Sequence, residues 1–202
     1  MSNNLQDLSS ITKAQPDDGQ PAPLSEAQQD YESGRGYLER GETALAAVSL
    51  HNALHGFEQE NNREGMANAA NRLGQVCLRR EEWEKAIAHF KRAWSICEEL
   101  NDPVSLIALT KQLVAAHRGQ KQYRVALDLC LDLLDNYQRN NNPRGSVEVL
   151  ETMSAIYLES GQRERAADAL RTAASIHANF KHQTSAEALR GKADALVAGT
   201  AS

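Results

Sequence analysis

Shifted by 40 positions, the sequence lines up with itself, and that register constrains the fold more than any single motif. Ala46, Ala86, Ala126 and Ala166 form one column. Leu50, Phe90, Cys130 and Leu170 form the next, and Ala53, Ala93, Leu133 and Ala173 a third. Upstream, Ser33, Leu73, Leu113 and Met153 match, as do Tyr37, Cys77, His117 and Tyr157. Within each half-repeat the columns are three or four residues apart, the spacing of one helix face. A unit of this size cannot bury its apolar face alone, so neighbouring units have to stack.

The breaks recur in step with the columns. Asp102-Pro103 and Asn142-Pro143 are 40 apart, and Asn62 stands one period earlier. Asp and Asn accept hydrogen bonds from the orphan amides of a helix start, and proline at the first helical position loses no bond. A second break falls mid-unit at Gly41, Glu81, Lys121 and Gly161. Each unit therefore reads as a helix, a tight turn and a second helix. The expected fold is all-α, a stack of four helical hairpins over residues 26–61, 62–101, 102–141 and 142–181. Leu189, Ala193, Leu196 and Val197 continue the first-helix columns, which predicts a capping helix over 183–198. The repeat domain then spans 26–198. Residues 1–25 hold three of the five prolines and little that could pack, and are expected to form a disordered tail.

Charge and composition narrow the function. The net charge of -5 gives no basic stripe for nucleic acid. No apolar run approaches the ~20 residues of a membrane span, and the first residues lack a secretory signal. Three cysteines without CxxC spacing fit a reducing, cytoplasmic setting, and each falls in a core column. His117 and His177 also fall in apolar or aromatic columns and read as packed side chains. His51, His55 and Glu58 share a helix face, but the equivalent positions elsewhere hold residues such as Lys91, Ser95 and Asp135, so a solvated surface is expected. No phosphate loop, nucleophile elbow or ligand set appears, so no enzyme, catalytic residue, metal or cofactor is expected.

Leu73-Gly74, Cys77, Ala86, Phe90 and Ala93 resemble the tetratricopeptide repeat (TPR) pattern of a Leu-Gly pair, an aromatic, then Ala, Phe and Ala. The 40-residue period exceeds the usual 34 and resembles the long-helix variety of Pins-type adaptors and Rap-type regulators. A HEAT-like array is the alternative. The resemblance implies a superhelical stack and a non-catalytic adaptor or scaffold that binds another protein, as a peptide or a helix, in a concave groove. A dedicated chaperone or regulator holding one client is the second reading, and self-association stays open. Carried position by position, the groove comprises Tyr31, Arg35, Asn68, Asn71, Gln75, Arg79, Lys111, Ala115, Glu148, Glu151 and Ala155. Its basic residues fall in the first three repeats and its acidic ones in the fourth, which suggests a bipolar groove. The carboxylate clamp for peptide C-termini is not reproduced at Tyr31, Arg72, Ala108 and Gln112.

Overall fold

The computed structural model describes residues 24–198, and among them all regular structure is α-helical. Apart from Leu24 and Ser25, the expected tail over 1–25 lies outside the described residues. The helices are α1 (Glu26–Glu39), α2 (Thr43–Gln59), α3 (Arg63–Arg79), α4 (Trp83–Glu99), α5 (Pro103–Gly119), α6 (Tyr123–Arg139), α7 (Pro143–Glu159), α8 (Arg163–Asn179) and α9 (Gln183–Ala198). Each packs mainly on its neighbours in sequence, which makes a one-dimensional array of hairpins with α9 laid on α8.

The first helix of each hairpin is firmly capped and the second is not. Asn62 Oδ1 accepts from Gly65 N at 2.8 Å, Asp102 Oδ1 from Val104 N and Ser105 N at 3.1 Å, and Asn142 Oδ1 from Gly145 N at 2.9 Å. Ser25 does the same for α1. At the starts of α2, α4, α6 and α8 stand Glu42, Glu82, Gln122 and Gln162, whose side chains make no capping bond. The turns, in contrast, are all alike. Every helix from α1 to α8 ends in a residue of positive φ: Gly41, Asn61, Glu81, Asn101, Lys121, Asn141, Gly161 and Lys181. The following amide bonds back to the carbonyl five residues earlier, as from Glu82 N to Cys77 O at 2.9 Å and from Gln122 N to His117 O at 2.8 Å. This is the Schellman closure. The backbone therefore repeats every 20 residues, half the period of the side chains.

Packing divides each first helix into two apolar faces. Ala69, Leu73 and Val76 of α3 pack backward on α2, in a cluster with Leu50, Ala53, Leu54 and Phe57. Ala67, Ala70 and Cys77 pack forward on α4, with Ala86, Phe90 and Ala93. The Leu73-Gly74 pair thus straddles the boundary between hairpins. Leu73 does not pack on its own partner helix, as the column reading implies. Ser33, one period before Leu73, is exposed because no described helix lies behind α1. His117 is buried, with Nδ1 2.6 Å from Gln122 Oε1, but His177 is only half-buried and faces His182 across 5.6 Å between ring centroids. His177 falls short of the packed position expected of it because its column neighbour, Ser185, opens α9 at the edge of the array.

Gly74 sets the approach of α3 to α4. A Cβ there would stand 2.5 Å from Phe90 Cε1. In the third hairpin the same two columns hold Val114 and Cys130, so the bulk moves to the other helix. Gly74→Ala is expected to cost about 1–3 kcal/mol through overpacking. Gly74→Val with Phe90→Cys should lose clearly less than the sum of the two single changes in urea unfolding, because it recreates the third hairpin's pair. At the turns, Glu81→Gly should raise stability by about 1 kcal/mol, since an L-residue is strained in the left-handed region, whereas Gly41→Ala should lower it by a similar amount.

Candidate protein-binding surface

Between the two packing faces of each first helix runs a third, polar stripe. Beyond the packing of each helix on its sequence neighbours, adjacent hairpins touch through their first members, α1 to α3 and α3 to α5. The array therefore bends with α1, α3, α5 and α7 on its inner side, and the polar stripes lie side by side there. Tyr31, Asn71, Gln75, Lys111 and Ala155 are half-buried in this surface, and Arg35, Asn68, Arg79, Ala115, Glu148 and Glu151 are exposed on it.

The charges of this surface are largely engaged with one another. Lys111 Nζ bonds Glu148 Oε2 at 2.9 Å and lies 5.6 Å from the centre of the Tyr137 ring. Desolvation lowers the Lys111 pKa, but the bonds to Glu148 and Tyr137 outweigh it and hold the ammonium above the ordinary lysine value. Arg35 pairs with Glu32 at 2.7 Å. Arg118, which the sequence reading leaves out, forms a two-pronged bond to Glu159, with Nε 2.9 Å from Oε2 and Nη2 2.5 Å from Oε1. That bond raises the Arg118 pKa and lowers that of Glu159. The simple bipolar groove is thereby corrected: Lys111 and Glu148, assigned to opposite poles, neutralise each other across the join between the third and fourth hairpins.

On α3 the pattern differs. Arg79 donates to the Leu38 carbonyl at the end of α1, and Arg72 Nη1 donates to Gln75 Oε1 at 3.1 Å. Gln75 Nε2 in turn reaches Asn71 Oδ1 at 3.5 Å. Neither arginine meets a carboxylate in these bonds. The centre of the inner face is consequently amide-rich and biased positive. A depression of about 530 Å³ opens beside it, lined by Leu78, Trp83, Ala115, Arg118, Gly119, Lys121, Tyr123 and Glu159. The column reading passes over it, because Trp83 and Tyr123 open second helices and look like core. The signal was the aromatic pair itself, one period apart, where the outer repeats have Thr43 and Arg163.

The second helices α2 and α4 carry His51, His55 and His89. His51 does not join His55 and Glu58. Its ring packs edge-on against His89, with centroids 5.9 Å apart, while His55 Nδ1 lies 3.6 Å from Glu58 Oε2. Glu58 is also bonded by Arg92, which holds its carboxyl below the usual range. All three cysteines are buried and free, and burial raises their thiols, Cys130 to about 11. Such thiols are poor nucleophiles at neutral pH.

No family model matches the chain. A 95-residue stretch, 47% of the chain, is 30% identical to the chloroplastic protein FLUORESCENT IN BLUE LIGHT of Arabidopsis thaliana, and it spans only 30% of that relative's length. The apo form of RapI superposes with a TM-score of 0.71 over 84% of this chain and 63% of RapI, at 17% identity. BtubC from P. vanneervenii does so with a TM-score of 0.56 over 83% of this chain and 78% of its own, at 14% identity. With the hairpin geometry, these matches define the class: the fold is a TPR-like helical repeat array. Among the described residues, no helix is long and apolar enough to cross a membrane.

The His51–His89 contact generates a pH dependence. Desolvation, aided by the charge of His51, holds the His89 pKa below the ordinary 6.5. The unfolded chain then binds the proton first, so stability falls as pH drops below that value. The melting temperature should decline between about pH 7 and pH 5.5, and His89→Gln should flatten part of that decline. An unchanged slope would count against the contact.

Proposed function

We propose that the chain is a non-catalytic protein-interaction module, an adaptor or scaffold, that takes a peptide segment or partner helix on the face formed by its first helices. It works in a reducing compartment such as the cytoplasm, where its three thiols stay unpaired. The observation that carries this reading is the polar stripe on α3. Asn68, Asn71 and Gln75 present amides at helical spacing, and each amide both donates and accepts, as a peptide backbone requires. Arg72 and Arg79 beside them are held in place by neutral oxygens, so their charge is not cancelled by a carboxylate. Tyr31 and Arg35 extend the surface toward α1, and Ala115, Glu151 and Ala155 toward α7. Lys111 and Glu148 act in it as a fixed strut rather than as two free poles.

A photo-crosslinking residue placed at Gln75 tests the reading against one placed at Ser95, which is exposed on the second helix of the same hairpin. Gln75 should yield a defined adduct, and a peptide covering the crosslinked segment should bind the purified chain. Asn71→Ala with Gln75→Ala should weaken that binding by about tenfold or more, while Lys91→Ala on α4 leaves it unchanged. Crosslinks confined to Ser95 would overturn the assignment. One dominant adduct would mark a regulator with a single client, and several would mark an adaptor.

A further inference from the structure

The depression beside α3 lies where the third repeat has small residues at two neighbouring positions. Where the first and second repeats carry Arg35 and Gln75, the third has Ala115, as the fourth has Ala155. Where the other three carry Glu39, Arg79 and Glu159, the third alone has Gly119. Both positions lack a long side chain at the same place on the inner face. Gly119 also lets the indole of Trp83 lie against α5: a Cβ there would stand 2.7 Å from Trp83 Cε3. Leu78 from α3 and the Tyr123 ring from the start of α6 complete the walls. The result is an apolar recess with aromatic walls, set into a polar surface.

Its lining carries two cations, Arg118 and Lys121, against one carboxylate, Glu159, although the chain as a whole is acidic, with a net charge of -5. Glu159 is satisfied by the two-pronged bond from Arg118. Lys121 is exposed in its turn and meets no carboxylate among the described residues. Glu84, outside the lining, accepts from the neutral Gln120 Nε2 at 3.3 Å and keeps its charge.

We infer that this recess is the anchor subsite of the binding face, and that it takes a leucine or phenylalanine side chain of a partner segment that carries aspartate or glutamate beside that residue. The assignment rests on the reading of the inner face as the binding surface. Apolar insertion between Trp83, Leu78 and Tyr123 supplies the bulk of the affinity, as buried anchors do at protein interfaces. The flanking carboxylates meet Lys121, which fixes the direction of the segment and speeds its capture.

The experiment is selection of a displayed random-peptide library against the full chain. The expected consensus is one large apolar residue with acidic neighbours. Ala115→Phe fills the recess from an exposed position, so the thermal melt should be unchanged while binding of the selected peptides falls by about tenfold or more. Lys121→Glu should weaken the same peptides, more at low salt than at high salt. In a Trp94→Phe chain, where Trp83 is the remaining tryptophan, a bound peptide should shift the emission. A basic consensus, no enrichment, or peptides that bind Ala115→Phe as tightly as the parent would overturn the subsite. If peptides are lost on Asn71→Ala with Gln75→Ala but kept on Ala115→Phe, the inner face stands and the recess falls. If they survive both, the inner-face reading falls as well.

Discussion

Everything in this array depends on how closely consecutive helices approach, and at most joins that distance is set by one small residue facing one large one. Within hairpins the facing columns hold Gly34 and Leu50, Gly74 and Phe90, Val114 and Cys130, Ser154 and Leu170. Between hairpins they hold Phe57 and Gly65, Cys97 and Ser105, Tyr137 and Gly145. A Cβ on Gly65 or Gly145 would fall 2.6 Å from the opposing ring. No residue type is fixed at these sites, but within hairpins a larger residue on one helix goes with a smaller one on the other, as Gly74 with Phe90 and Val114 with Cys130 show. Such compensation is how a close-packed interior tolerates change, because density rather than identity is what the core conserves.

The same joins explain why each first helix has two apolar faces and why the array's outermost helices have one. α9 retains the backward columns in Leu189 and Ala193, which are buried on α8. Its forward columns carry Glu187, Arg190 and Asp194, all exposed, where α3 has Ala67, Ala70 and Gly74. α1 is the mirror case, with Ala27 and Gly34 buried forward and Gln29 and Ser33 exposed behind. A repeat helix becomes a cap by changing one face and keeping the other.

That division was only half legible in the sequence. The columns, the caps at Asn62, Asp102 and Asn142 and the all-helical class follow from spacing and side-chain chemistry, because helix faces and N-caps are local properties. Which column packs on which neighbour is not local, and Leu73 shows it: it adjoins Gly74 in the chain but packs on α2, while Gly74 faces Phe90 of α4. The turns hide for a different reason. Gly41 and Gly161 declare a left-handed residue and Asn61, Asn101 and Asn141 permit one, but Glu81, Lys121 and Lys181 carry no such mark. They adopt it because the Schellman bonds and the docking of the next helix over-determine the turn. For the binding surface, sequence registers placed the residues on one face. They could not see that Lys111 and Glu148 would meet, since that contact joins α5 to α7 across a bend in the stack.

Repetition and departure from repetition therefore divide the labour. The columns that recur build a scaffold whose inner stripe is polar, because its residues lie between the two apolar packing faces and stay at least partly open to solvent. A stripe of that kind is common to all the repeats and selects no partner by itself. Selectivity has to come from positions where one repeat breaks ranks with the rest on the exposed side, since only there does the surface differ along its length. Next to the small Ala115, Gly119 breaks ranks by losing its side chain, Trp83 and Tyr123 by adding rings where the outer repeats have Thr43 and Arg163, and Lys121 by placing a cation in a turn that elsewhere holds Gly41, Glu81 or Gly161. These departures cluster in space although they lie up to 40 residues apart in the chain. Packing accounts for Gly119, where a Cβ would stand 2.7 Å from the Trp83 ring, but not for Ala115 or Lys121, which are exposed. A cluster of exposed exceptions on an otherwise periodic surface is where a repeat protein can distinguish one partner from another.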